Sequence, residues 1–313
     1  MFDLVTIGDA SIDTYCVLDH KEADVLCSVD RSSCQLTLDY ADKIPLKSIA
    51  RAVGGNAANV AVGGARLGLN TSIVATIGAD DASRQVIHTL EKEDVNLEHL
   101  SRVGRNNQSV AIVYDGERTL LVHHEPREYK FTPPGATKWF YVTSMAKGSE
   151  AIGTEIAAYA SENNIKIAFS PGTWQLRLGP GVMRPILTET EIIILNRDEA
   201  IVFTKSKPKT PIPELLIKLA ELGPLISIIT EGDKGSHAFD GQDVIDCPIA
   251  TANKIESTGA GDAFSGGLVS AIIHGEDLRT AMLWGSANAA SVIEHIGPQK
   301  GLLTLPQIKN KLN

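Results

Sequence analysis

The chain has no long basic run and no cysteine pair at metal-binding spacing, and each absence excludes something. Lys and Arg number 29 against 38 Asp and Glu in 313 residues, for a net charge of −9. Without a basic stretch to follow a phosphate backbone, nucleic-acid binding is not expected. An anionic substrate would have to be held by local features, because the global field repels it. No apolar stretch reaches ~18 residues, so no membrane span is expected. The start, "MFDLVTIGDASID", lacks a basic n-region and a cleavable apolar core. That argues against a signal peptide and for the cytoplasm. The four cysteines, Cys16, Cys27, Cys34 and Cys247, include no C-x-x-C. Cys27 and Cys34 have no second pair to complete a zinc site, so reduced, mostly buried thiols are expected. No G-x-G-x-x-G follows the first apolar run, and no P-loop or protein-kinase string is present. A dinucleotide-dependent oxidoreductase is thereby disfavoured.

What is present is an ordinary globular composition, 43% hydrophobic and 21% charged. The length suits one large α/β domain with a minor appendage, or two domains. "FDLVTIG" reads as a buried strand that ends in a loop. Residues 12–47 then alternate apolar and polar residues in short pieces, as surface strands do. "GGNAANVAVGGARLG" reads as a helix of small residues and "TSIVATIG" as a strand; "DDASRQVIHTLEKEDV" reads as an amphipathic helix. A hairpin follows around Asp115-Gly116. From about residue 137 strands and helices alternate, ending in a hairpin at Asp240-Gly241 and helices near 261–274 and 277–294. This order predicts a mainly parallel sheet with helices on both faces. The β-like segments 12–47 and 105–131 interrupt it, and are expected to pair into one small projecting sheet.

The stretch "STGAGDAF" places two glycines and a carboxylate at the start of an apolar-periodic helix. Backbone N–H groups of a Gly259-Ala260-Gly261 turn at a helix end favour an anion. Asp262 beside them suits a transient anion: it can act as general base while the turn stabilises a transferring phosphoryl group. The competing reading is an Asp that caps the helix.

These residues, taken with others, resemble the PfkB, or ribokinase-like, family of carbohydrate kinases. "STGAGDAFSGGL" resembles its C-terminal signature and "GGNAANVAVGGARLG" its N-terminal one. "GDASID" resembles its substrate loop, "NRDE" its Asn-x-x-Glu motif and "TEGDKG" its nucleotide loop. The resemblance implies a ribokinase-like three-layer α/β/α sandwich over residues 1–313, with the small sheet as a lid. It implies ATP-dependent phosphorylation of a hydroxymethyl group on a small sugar, with Asp262 as base and Gly259, Ala260 and Gly261 as anion hole. Asp13, Gly54, Gly55 and Asn59 would hold the acceptor. Asn196 would lie near the phosphates and Glu199 would orient Mg2+ through water. Thr230, Gly232 and Gly235 would line the nucleotide site, and Asn288 would lie near the adenine or ribose.

The physics of the residues agrees in part. Asp9 and Asp13 follow the carboxyl end of a strand, where ligands bind in open α/β sheets. Asn196 and Glu199 stand at i and i+3 after an apolar strand and can face one side. Two departures bear on specificity. Glu256 stands where many relatives carry an Asp that helps bind K+, which puts a monovalent cation in doubt. "FSPGTWQLRL" lacks the Asp-x-Asn-x-Arg string of sugar kinases and looks more like nucleoside kinases of the family. A nucleoside acceptor and a catalytically silent binder therefore remain as alternatives. His123, His124 and Glu125 are neighbours on a strand and alternate in direction, so they read as lid residues rather than a metal site. Apolar lid positions, Val17, Leu36 and Leu38 with Val110, Ile112 and Leu121, suggest a homodimer through the lid.

Overall fold

The computed structural model describes residues 1–28 and 34–312. In chain order the first elements are β1 (Phe2–Ile7), β2 (Ser11–Leu18), β3 (Asp24–Cys27), β4 (Cys34–Thr37), β5 (Leu46–Gly54) and α1 (Asn56–Arg66). Next come β6 (Thr71–Ile77), α2 (Asp81–Lys92), β7 (Leu100–Arg102), β8 (Asn107–Tyr114) and β9 (Glu117–His123). They are followed by β10 (Thr137–Val142), α3 (Ile152–Asn163), β11 (Lys166–Phe169), α4 (Thr173–Thr188), β12 (Thr190–Asn196) and α5 (Arg197–Phe203). The last are α6 (Ile212–Ala220), β13 (Ile226–Thr230), β14 (Ser236–Phe239), β15 (Val244–Cys247), α7 (Ala260–Ile273), α8 (Leu278–Val292) and α9 (Leu305–Leu312).

Nine strands form the large sheet in the order β15-β14-β13-β12-β11-β10-β1-β6-β7. All neighbours from β13 to β7 are parallel, and β14 and β15 add an antiparallel edge. The strands are apolar on both faces because helices cover both. Val5, Phe140, Ile167, Ile193 and Ile229 pack under α3 to α6. Leu4, Trp139, Ala168, Ile192 and Ile228 alternate with them and meet α7, α8 and α9. Ile73, Ala75 and Ile77 of β6 pack with α1 and α2 on that second side. A β-strand sends successive side chains to opposite faces, so these pairs of neighbours divide between the two helix layers. Close packing of α7 on α8 depends on glycine: a Cβ on Gly267 would sit 2.9 Å from the Trp284 carbonyl oxygen.

The second sheet has the order β5-β2-β8-β9. Its first half runs beyond the expected boundary at residue 47, to Gly54, and its second half ends at His123. β3 and β4 do not join it; they form a hairpin of their own. There the antiparallel register sets Cys27 opposite Cys34, and the two are joined by a disulfide. This corrects the expectation of reduced thiols for that pair, because side chains directly opposite in such a ladder are close enough to bond. Part of the 12–47 segment, residues 29–33, lies outside the described residues. Helix α4 is a second correction, since the sequence pattern assigns none over 173–188. Gly179, with a φ of 78°, kinks it just before Pro180, and Gly179, Pro180 and Pro185 break the apolar period.

Candidate active site

The first cluster begins on β2. Asp13 is buried and lies in the cross-strand row Ala52, Asp13, Ser109, Val122. Its Oδ1 accepts from Ser109 Oγ at 2.9 Å and from Ser11 Oγ at 3.1 Å. Burial pushes the Asp13 carboxyl up, the Ser109, Ser11 and Tyr15 hydroxyls oppose the rise, and the Glu256 charge adds to it. Gly54 is required by this carboxylate, because a Cβ there would stand 1.9 Å from Asp13 Oδ2. Gly55, with a φ of 87°, is the N-cap of α1, and a Cβ would meet the Asp9 carbonyl oxygen at 2.4 Å. A left-handed backbone and close approach together leave room for glycine alone.

One turn into α1, Asn59 is buried and its Nδ2 donates to Asp262 Oδ2 at 2.8 Å. Its Oδ1 accepts from Gln299 Nε2 at 3.0 Å. Asn59 is thus a link between the carboxylate and Gln299. Arg66 steadies the far end, donating from Nη1 to the carbonyls of Gln299 (2.8 Å) and Leu302 (3.0 Å) while it pairs with Glu93. Gln299 carries no motif, so only the fold brings it to the site.

Asp262 stands in the first turn of α7, partly buried. Burial pushes its carboxyl up to about 6; Asn59 and Asn56 amides pull it down, Asp13 raises it and Arg118 lowers it. Its charge in turn adds to the burial that raises Tyr141, whose ring is buried on β10. Gly259, the N-cap of α7, is left-handed at a φ of 81°, and a Cβ there would hit Pro298 at 2.4 Å. The Ala260 N–H turns back to the Ser257 carbonyl at 3.3 Å. The Gly261 and Asp262 N–H groups stay outside the helical ladder, as first-turn donors do. Asp13, Gly54, Gly55, Asn59 and Asp262 are therefore one cluster.

A second group gathers at the ends of β12 and β13, where Asn196 and Thr230 are register neighbours. Asn196 and Glu199 cap α5 reciprocally: Asn196 Oδ1 accepts from the Glu199 N–H at 2.8 Å, and Glu199 Oε2 accepts from the Asn196 N–H at 2.9 Å. Burial holds the Glu199 carboxyl above its ordinary range. Gly232 and Gly235 flank a tight turn with φ of 57° and 93°, and a Cβ on Gly235 would stand 2.2 Å from the Cys247 carbonyl oxygen. Asn288 does not join either group. It is fully buried, with Nδ2 donating to the Ala263 carbonyl (2.8 Å) and Oδ1 accepting from the Leu303 N–H (2.9 Å). One end ties α8 to α7 and the other ties it to the segment leading into α9.

Three neighbours of the site complete the picture. Asp9 is buried; its Oδ1 accepts from the Tyr129 hydroxyl at 3.0 Å, and His124 Nδ1 is 3.4 Å from its Oδ2. His123 turns instead to Glu125, so the three adjacent residues do not converge. Glu256 is fully buried, and the Arg118 guanidinium of β9 lies 3.8 Å from its Oε1. A guanidinium that close repels a second cation. The residues here do not fit a monovalent ion.

A three-layer α/β/α sandwich with its polar clusters at the carboxyl ends of parallel strands, under a projecting small sheet, is the ribokinase-like fold. The chain belongs to the pfkB family carbohydrate kinases, whose profile matches residues 13–305. Among curated relatives, the nucleoside kinase of Methanocaldococcus jannaschii is 27% identical over 277 residues, covering 86% of this chain and 88% of that protein. Among solved structures, Arabidopsis thaliana ribokinase complexed with ribose and ATP superposes with a TM-score of 0.80 at 18% identity, over 100% of this chain and 99% of that one. The Burkholderia thailandensis nucleoside kinase in complex with inosine gives 0.76 at 20% identity, over 98% and 97%. No helix among the described residues is long and apolar enough to cross a membrane.

Proposed function

We propose that this kinase transfers the γ-phosphoryl group of ATP to a hydroxymethyl group on a furanose, with Asp262 as the general base. The observation that carries the reading is the raised Asp262 carboxyl beside the open first turn of α7, within reach of the Asp13 charge. A carboxyl pushed to about 6 is ionised at neutral pH yet basic enough to take a hydroxyl proton. As the acceptor oxygen attacks the γ-phosphorus and its bond to the ADP oxygen breaks, the proton passes to Asp262. The Gly261 and Asp262 N–H groups face the developing charge. Asp13, Gly54 and Gly55 hold the acceptor, and Asn59 acts through Asp262. Asn196, Thr230, Gly232 and Gly235 line the nucleotide site. Glu199 Oε1 stands outside the capping pair and suits a water of a Mg2+ shell. Bound with ATP, that ion would screen the phosphate charge. The small sheet serves as the lid over this site.

One observation favours a nucleoside over a free sugar. On the inward face of β9, Leu120 is 41% and Val122 52% exposed, in the rows of Tyr15 and Asp13. Two uncovered apolar side chains beside the acceptor site suit the face of a nucleobase. The test is ADP release on ribose, fructose, adenosine and inosine. Turnover of a nucleoside alone selects that reading, turnover of a sugar alone selects the other, and turnover of none supports the silent binder.

We also propose that the outward lid face mediates a homodimer. Ile49, Val110, Ile112 and Leu121 share it, and Ile49 (64%) and Leu121 (55%) are exposed. Val17 points the other way and packs with Tyr15 and Val113, while Leu36 and Leu38 lie off this sheet.

A further inference from the structure

Glu256 poses a problem of charge. A carboxylate with no solvent exposure needs a nearby cation. Its Oε1 accepts from the Thr258 N–H at 2.6 Å and from the Thr258 hydroxyl, while Oε2 has no hydrogen-bond partner among the described residues. Its surroundings make matters worse. The Glu256 charge acts on Asp13, and that of Asp13 on Asp262, so three carboxylates share the site.

Positive charge arrives from the small sheet. Arg118, on the inward face of β9 opposite Val113, donates from Nη1 to Ser257 Oγ at 2.9 Å and sets Nε 3.8 Å from Glu256 Oε1. Beside it, Glu117 pairs with Lys254. All these contacts cross from β9 to residues 254–257, immediately before the Gly259 turn. Ser257 is also the carbonyl to which the Ala260 N–H bonds.

We propose that Arg118 is the counter-charge of Glu256 and a positioning residue for phosphoryl transfer: docking of the small sheet brings its guanidinium to the Glu256–Thr258 segment and fixes the first turn of α7, in place of a monovalent cation. The proposal rests on the reading of that turn as the transfer site. An exposed ion pair would do little here. Glu256 is buried, however, so removing its partner leaves an uncompensated charge that disturbs the segment carrying it.

The test compares wild type, Arg118→Ala and Arg118→Lys in choline chloride, with KCl or guanidinium chloride added at low millimolar concentration. Kinetics and melting temperature are both read. Wild type is expected to show the same kcat and Tm in KCl as in choline chloride. Arg118→Ala is expected to lose ~10-fold or more in kcat with a smaller change in acceptor KM, as a positioning loss does. Added K+ or guanidinium should restore much of the rate and raise the variant's Tm, where choline does neither. Arg118→Lys should keep most of the rate. Strong activation of the wild type by K+ would overturn the proposal, since Glu256 Oε2 would then be a cation ligand. So would an Arg118→Ala enzyme that matches wild type in choline chloride, or one that is slow and answers to no cation. If no acceptor is turned over even by wild type, the kinase reading fails on that result. The cation-specific Tm rise of Arg118→Ala, present or absent, still decides the role of Arg118.

Discussion

The amide nitrogen of Asn59 lies 2.8 Å from Asp262 Oδ2, joining residues from α1 and α7 that are 203 positions apart in the chain. The bond favours the ionised carboxylate, while burial favours the neutral acid, and the balance falls at about 6. The rate should therefore carry an acid limb. For kcat/KM, activity is expected to fall tenfold per pH unit below about 6, where Asp262 in the free enzyme becomes protonated. Asn59→Leu removes one hydrogen bond to the charged form, so that limb should move up by roughly 0.5–1 pH unit. A pH–rate profile of both enzymes checks it; an unmoved limb in Asn59→Leu assigns the titration to another group.

Replacing Asp262, the proposed base, separates activity from stability. Asp262→Asn should lower kcat by ~10² or more with acceptor and ATP binding nearly intact, since general-base assistance is worth that much. The same change should raise Tm at neutral pH. The folded carboxyl titrates above its ordinary value near 3.8, so the folded state holds the proton more tightly than the unfolded chain. Its contribution to stability is then present below about 4 and is lost as pH rises through about 6. The neutral amide escapes that loss, so Tm should rise by a few degrees at pH 7.5 and match wild type at pH 4. Calorimetry at both values reads the difference. A variant less stable than wild type at pH 7.5 would show that Asp262 is a structural cap.

What the sequence makes legible is what depends on local chemistry. Short apolar runs in "FDLVTIG" and "EIIILN" mark the central strands, and Gly54, Gly55, Gly259 and Gly235 each answer to a close contact or a positive φ. Residues whose place comes from distant contacts stay hidden. Gln299 follows no motif, and nothing in the hairpin around Asp115-Gly116 marks Arg118 until β9 is seen against Glu256. The bonds that Asn288 makes from α8 to Ala263 and to Leu303 join parts of the chain that no local pattern relates. The Cys27–Cys34 pairing follows from strand register, which composition does not carry. Gly179 and Pro180 hide α4 because they interrupt the period that would announce it.

The lid face should decide the oligomeric state. Ile49 and Leu121 are exposed on the outward side, away from Asp13. Leu121→Lys combined with Ile49→Lys would place charges at the centre of an isologous contact. Wild type is expected to scatter as a dimer at low micromolar concentration and the double variant as a monomer. A wild type that is monomeric and active under those conditions removes the dimer from the account.

On the proposed reading Asp13 links the acceptor to the small sheet, and its loss should show in both. Its carboxylate is fixed by Ser109 and Ser11, on the same face of the small sheet as Leu120 and Val122. On that reading a bound acceptor that bonds Asp13 would be held by the sheet proposed to close above it. Closure excludes water, which otherwise competes with the hydroxymethyl group for the phosphoryl donor. Asp13→Ala should raise the acceptor KM strongly and leave the ATP KM little changed. Losing a hydrogen bond to a charged partner costs about 1.5–3 kcal/mol, or about tenfold to a hundredfold in kcat/KM. The ratio of wasteful ATP hydrolysis to transfer should rise as well. Asp13→Asn keeps the shape and the serine contacts but not the charge, and should fall between wild type and Asp13→Ala. Measuring ADP release and phosphorylated acceptor side by side gives both readouts. An acceptor KM that does not move in Asp13→Ala would mean that Asp13 serves only to hold β2 against β8, and that the acceptor hydroxyls are bound elsewhere.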